Sequence, residues 1–213
     1  MKASDIIAKV ADKCLDSSFS DEDILALINE ARGQIADDYD LPNLITTATV
    51  TTTSDANAVA LPDDYHKGLF YVSSSNQRRR IGSRIGDYHN IDSLLKLYPN
   101  LDTVGQITHA VVDGKNLIYQ GQAEDTLTLR YYKLVEDIAD TEEPSELPAN
   151  MHLPILMNYC LREIYDDIED ELEGPKTNTN YYDKRYQVAL PKLQMFIAQS
   201  TPREPKHLKG IND

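Results

Sequence analysis

Residues Thr126-Leu127-Thr128-Leu129-Arg130-Tyr131-Tyr132-Lys133 alternate polar and apolar side chains, the period of a strand with one buried face. An acidic stretch from Glu136 to Glu146 follows. The pattern then restarts at Leu147-Pro148 with a different period: Leu153, Leu156, Met157, Cys160, Ile164 and Ile168 recur at helical spacing. A chain that passes a strand directly to a long helix, with other strands before and another helix after, belongs to the α+β class.

The same periodicity test orders the rest. Ile6, Ile7, Val10, Ala11, Cys14 and Leu15 predict a helix over 4–16 capped by Ser4. Ser20, with Asp23 three residues on, opens a second helix. Its acids Asp21, Glu22 and Asp23 favour the first turn, its buried stripe runs from Ile24 to Ile35, and Pro42 closes it. From Leu44 the period becomes two, which predicts strands over 46–53, 59–61 and 68–74. Asp113-Gly114 predicts a tight hairpin turn between 107–112 and 116–120. A short helix over 91–98 stops at Pro99.

A long helix is expected from 150 to 172, with Pro154 tolerated near its first turn. The last helix starts near 178, carries Tyr182, Tyr186, Ala189, Leu190, Leu193, Phe196 and Ile197 inward, and should kink at Pro191. The expected architecture is an antiparallel four-helix bundle from 1–42 and 148–200. A mostly β insertion, 43–135, lies between helices two and three and projects from one end of the bundle. Residues 136–147 form an exposed acidic loop, and 201–213 an extended C-terminal tail, poorly ordered alone.

Composition excludes several function classes. The five histidines, His66, His89, His109, His152 and His207, show no zinc spacing, and neither a glycine-rich phosphate loop nor a nucleophile elbow is present. No catalytic residue, metal or cofactor is expected. Cys14 and Cys160 lie on apolar helix faces and read as buried thiols. The apolar runs fall short of the ~20 residues that cross a bilayer. The start Met1-Lys2-Ala3-Ser4-Asp5 lacks the apolar core of a signal peptide, so the chain is read as cytosolic when made. A net charge of −14 opposes gripping nucleic acid through its phosphates.

Two charged clusters remain. Glu163, Asp166, Asp167, Asp170 and Glu171 lie in one acidic run, with Glu163, Asp167 and Glu171 on one helix face. They form either a solvated face or a wall towards a charged channel or subunit seam. Arg78, Arg79, Arg80 and Arg84 form a basic cluster that suits a solvated loop, an acidic neighbouring subunit or nucleic acid. The 13 tyrosines against 3 phenylalanines suit subunit interfaces or half-buried core edges equally.

The segment Val59-Ala60-Leu61-Pro62-Asp63-Asp64-Tyr65 is followed by a strand, the Asp113-Gly114 hairpin and Leu127-Thr128-Leu129-Arg130-Tyr131-Tyr132. Then come the restart at Leu147-Pro148, a helix with Tyr165 and acids, and Tyr181-Tyr182-Asp183-Lys184-Arg185-Tyr186. In this order, over residues 20 to 198, the chain resembles the head-to-tail adaptor, or connector, proteins of tailed phages. The resemblance implies a non-enzymatic structural protein of the phage neck, made in the host cytoplasm and placed in the virion at the head–tail junction. Such adaptors form a homo-oligomeric ring of about twelve copies under the portal protein. The ring extends the DNA channel through which the genome is ejected, without specific DNA binding, and is the platform for tail, nozzle or fibre proteins.

By the same resemblance the tail residues Arg203, Lys206, His207, Leu208 and Lys209 would reach the portal, ordering on binding. The cluster from Arg78 to Arg80 and residues 83–105 match no part of the family's pattern. Two other readings are a tail-completion or nozzle component, and a small peptide-binding or regulatory module that uses the β insertion.

Overall fold

The computed structural model describes residues 1–14, 18–75, 80–81, 91–170 and 174–200. They fall into two compact units. One comprises Met1–Asn43 and Val135–Asp213, the other Leu44–Leu134.

In the first unit, α1 (Ala3–Lys13) buries Ala3, Ile6, Ile7 and Val10 on one face. Its opening amides are met by the chain that follows the β region: Ala3 N–H donates to the Glu142 carbonyl and Ser4 N–H to that of Asp140, both at 2.8 Å. Ser4 is therefore inside the helix and is not its cap. In α2 (Asp21–Asp38) the expected cap does form, with Asp23 N–H donating to Ser20 Oγ and Ser20 N–H to Asp23 Oδ2. Ser20 Oγ–H, which also donates to the Asp23 carboxylate, and then Ser20 N–H hold that carboxyl below its ordinary pKa.

The next helix does not run unbroken from 150. A 3-10 turn (Ala149–Met151) and a π turn (Leu153–Met157) lead into α4 (Asn158–Asp170). Pro154 has no N–H to donate and its ring crowds the preceding turn, so the first turns widen there. The Asn158 side-chain amide donates to the Pro154 carbonyl at 2.7 Å. Finally α5 (Thr177–Ser200) runs through Pro191.

These elements do not make the expected antiparallel four-helix bundle with a β insertion. The protein is α+β with five α-helices among the described residues, one of them, α3 (Ile91–Leu97), in the β-rich unit. In the helical unit α4 is the hub and packs on α1, α2 and α5, while α5 packs mainly on α4 and the π turn. The helices run from 11 to 24 residues, so no common seam of matched length forms around a ring of four.

The second unit holds two antiparallel sheets. The larger has the order β1-β7-β3-β4, from β1 (Ile45–Thr51), β3 (Tyr65–Ser74), β4 (Arg80–Ile81) and β7 (Thr126–Lys133). The smaller has the order β2-β6-β5, from β2 (Ala58–Ala60), β5 (His109–Asp113) and β6 (Asn116–Gln120). Asp113 pairs with Asn116, so the hairpin turns on Gly114-Lys115, one residue later than the Asp-Gly pair predicts, with Gly114 at φ 58°. Inward residues of both sheets share one core: Leu61, Val72, Ile107, Ala110, Leu117, Tyr119, Leu127, Leu129 and Tyr131.

Candidate functional site

Of the acids singled out by sequence, Glu163, Asp166, Asp167 and Asp170 lie on α4, which packs against α5. Glu163 accepts from Arg162 Nε at 2.7 Å, and the Arg162 guanidinium also lies 3.6 Å from Asp183 on α5. The same guanidinium sits over the Tyr159 ring at 4.6 Å and the Tyr186 ring at 5.2 Å. Asp166 and Asp170 share the Lys176 ammonium, which is 2.7 Å from Asp166 Oδ1. Lys176 is held protonated, its pKa raised by the hydrogen bonds to Asp166 and Asp170. Asp167 is exposed and has no ion pair among the described residues. Much of the acidic run is thus already neutralised within its own hairpin. Glu171 lies outside the described residues, as do Arg78, Arg79, Arg84, Arg203, Lys206, His207, Leu208 and Lys209. Arg80 is described only as a backbone member of β4.

Glu169, an acid the sequence reading did not single out, has a specific task. Its carboxylate accepts from Asn178 N–H at 2.8 Å, Thr179 N–H at 3.1 Å and Thr179 Oγ1 at 2.8 Å. It caps the first turn of α5 from the end of α4. Desolvation raises its pKa, but the donated hydrogen bonds outweigh it and hold the carboxyl below its ordinary value. A depressed carboxyl contributes stability that is present above its ordinary pKa and lost as pH falls through the folded one. The start of α5 should therefore fray below about pH 4. Hydrogen exchange at the Asn178 and Thr179 amides, followed against pH, reads this out; Glu169→Gln should show faster exchange already at neutral pH.

Five of the 13 tyrosines belong to the core. Tyr119, Tyr131, Tyr132, Tyr159 and Tyr186 are buried. Tyr165 and Tyr182 stack with centroids 5.5 Å apart and join α4 to α5. Tyr159 O–H donates to Glu30 on α2 at 3.1 Å.

Two surfaces escaped the sequence reading. On α5, Tyr181, Val188 and Met195 are 51%, 65% and 63% exposed, one stripe at spacing i, i+7, i+14. Arg185 and Lys192 lie on the same stripe, and Arg185 donates to the Tyr181 hydroxyl at 2.7 Å. In the helical unit, Glu22, Leu25, Ala26, Asn29, Glu30 and Asp137 line a shallow groove of about 420 Å³. The sevenfold repeat in α5 was visible in the sequence, but it lies beside a stronger inward stripe and was masked by it.

Among the described residues no cluster of His, Cys, Asp or Glu could hold a metal ion, and no helix is long and apolar enough to cross a membrane. A protein-family model described as SU10 adaptor protein matches residues 1–206. The chain belongs to the SU10 adaptor protein family. No curated protein matches the chain. The resemblance to phage head-to-tail adaptors is borne out. An SU10 adaptor is a phage structural protein, a virion component that acts with other head and tail proteins.

The residues that carry the SU10 adaptor resemblance have structural tasks in this chain. In the segment from Leu61 to Tyr65, Tyr65 N–H donates to the Pro62 carbonyl at 2.9 Å, and Leu134 N–H to that of Asp64 at 2.8 Å. Tyr131 O–H donates to the Asp64 carboxylate, and the Tyr65 and Tyr131 rings lie 5.3 Å apart. Burial, with Asp64 accepting, pushes the Tyr131 phenol up, so it remains the donor. The motif therefore locks the end of β7.

Proposed function

We propose that this SU10 adaptor forms a homo-oligomeric ring of about twelve copies beneath the portal protein. The ring extends the DNA channel and presents the attachment platform for tail, nozzle or fibre proteins. The role is structural rather than enzymatic. The observation that carries this reading is the family match across residues 1–206, almost the whole chain. The tail, 201–213, reaches the portal through Arg203, Lys206, His207, Leu208 and Lys209. The basic cluster Arg78, Arg79, Arg80 and Arg84 meets an acidic partner surface.

The acids of α4 face the channel or a subunit seam and keep a polyanion from adhering. Asp167 is the residue to test, because Asp166 and Asp170 are engaged with Lys176. Co-expression with the neighbouring portal gene, followed by electron microscopy, should give rings on the portal. Chains that stay monomeric beside assembled portals would overturn the ring. With rings in hand, Asp167→Lys should slow genome ejection, and unchanged ejection would remove the acids from the channel.

A further inference from the structure

We propose that the outer stripe of α5 from one copy docks into the acidic groove along α2 of the next copy. The inference rests on the ring reading above and assigns it a contact. Three observations bear on it.

The first is charge. The chain carries a net −14, yet α5 holds Lys184, Arg185 and Lys192 against a single acid, Asp183. Asp183 lies off the stripe and is occupied by Arg162. The groove is the reverse, with Glu22, Glu30 and Asp137 around Leu25 and Ala26. Two such surfaces attract each other and repel their own kind. The second is shape and polarity. Tyr181, Val188 and Met195 stand out on α5 at helical-seam spacing, and they meet an apolar floor between acidic rims. An apolar centre with a charged rim is the anatomy of a specific interface.

The third is Gly33. It follows Asn29 and Glu30 by one turn of α2, on the groove's side of the helix, and a methyl group there would meet nothing within 4 Å. Nothing inside the chain requires this poor helix former. Its smooth surface lets a second helix approach closely.

The contact joins different surfaces of two copies, so it is heterologous and repeats around a closed ring. A stripe meeting its own kind would instead bring Arg185 and Lys192 together in a two-fold dimer, which the charges oppose.

The test uses the full chain, alone and with its portal. Gly33→Leu improves helix propensity and adds bulk, so it should fold and yet fail to assemble. Arg185→Glu with Lys192→Glu should raise the assembly concentration about tenfold, and Glu22→Lys with Glu30→Lys added to it should restore most of the loss. Mixing Val188→Cys chains with Ala26→Cys chains under oxidation should give a crosslinked dimer that neither forms alone, because the native Cys14 and Cys160 are buried. Wild-type rings that tolerate Gly33→Leu and both charge reversals, with no crosslink, would overturn the contact and leave the ring standing. A crosslink without rings would support the contact and overturn ring closure. Neither crosslink nor rings would overturn both.

Discussion

Replacing Glu146 with alanine should destabilise the helical unit by about 3–5 kcal/mol. Arg32 and Glu146 are 4% and 3% exposed and stand 114 positions apart. Arg32 Nε reaches Glu146 Oε1 at 2.6 Å and a terminal nitrogen reaches Oε2 at 3.1 Å, a bidentate fork. The other terminal nitrogen donates to Asn29 Oδ1 at 2.8 Å and to the Glu136 carbonyl at 3.0 Å. The guanidinium therefore ties both ends of the 136–146 stretch to α2. Taking the carboxylate away leaves a buried cation with only neutral acceptors, which is why one partner's loss costs more than the pair's net contribution. Arg32→Met with Glu146→Leu should recover most of the loss, since neither charge then needs a partner. Urea unfolding measures this: the midpoint of Glu146→Ala should fall by about 1–2 M. A single-variant loss under about 1 kcal/mol would mean that water reaches the guanidinium.

This pair also marks where reading the sequence stops. The stretch from Glu136 to Glu146 reads as an exposed acidic loop, and Glu136, Asp137 and Asp140 are exposed. Glu146 and Pro144 are buried instead. A carboxylate's burial depends on a cation that is remote in sequence, and local composition cannot supply that. Strand alternation, by contrast, is local. Leu127, Leu129 and Tyr131 are buried, with Thr126, Thr128 and Arg130 more exposed between them, as the pattern requires. The Ser20 cap was legible for the same reason.

Register was only partly legible. The hairpin turns on Gly114-Lys115, which pairs Ala110 with Tyr119 and Val112 with Leu117 on the face that meets the core, and this outweighs the preference of the Asp-Gly pair. In β3 the ladder shifts between Tyr65 and Tyr71. Gly68 takes φ +63° there, and a Cβ on it would lie 3.0 Å from the Tyr132 ring, a close approach that requires knowing where β7 lies. The bundle expectation failed because periodicity reports which face of a helix is apolar. It does not report which helix covers that face, and here α4 takes the central place. The α4 acids were found readily, but their partners Arg162, Lys176 and the α5 amides were not, so the run looked more highly charged than it is.

Leu129→Ala should cost the β-rich unit about 2–5 kcal/mol. Strand β7 lies between β1 and β3 in the larger sheet, with Leu129 opposite Ala48 on one side and Val72 on the other. Its side chain is fully buried in the core that both sheets share. Two-sided pairing fixes the backbone, so the surroundings cannot collapse into the vacated space, and the transfer loss and the cavity loss add. Position 128 is the control, because Thr128 is on the opposite face of the same strand and half-buried. Thr128→Ala should change stability by no more than about 0.5 kcal/mol. Native-state hydrogen exchange reads the two apart: amides of β6 and β7 should lose protection by about 30-fold or more in Leu129→Ala and hardly at all in Thr128→Ala. Equal losses at the two positions would show that β7 is held by its ladder of backbone bonds, and that the shared core contributes little.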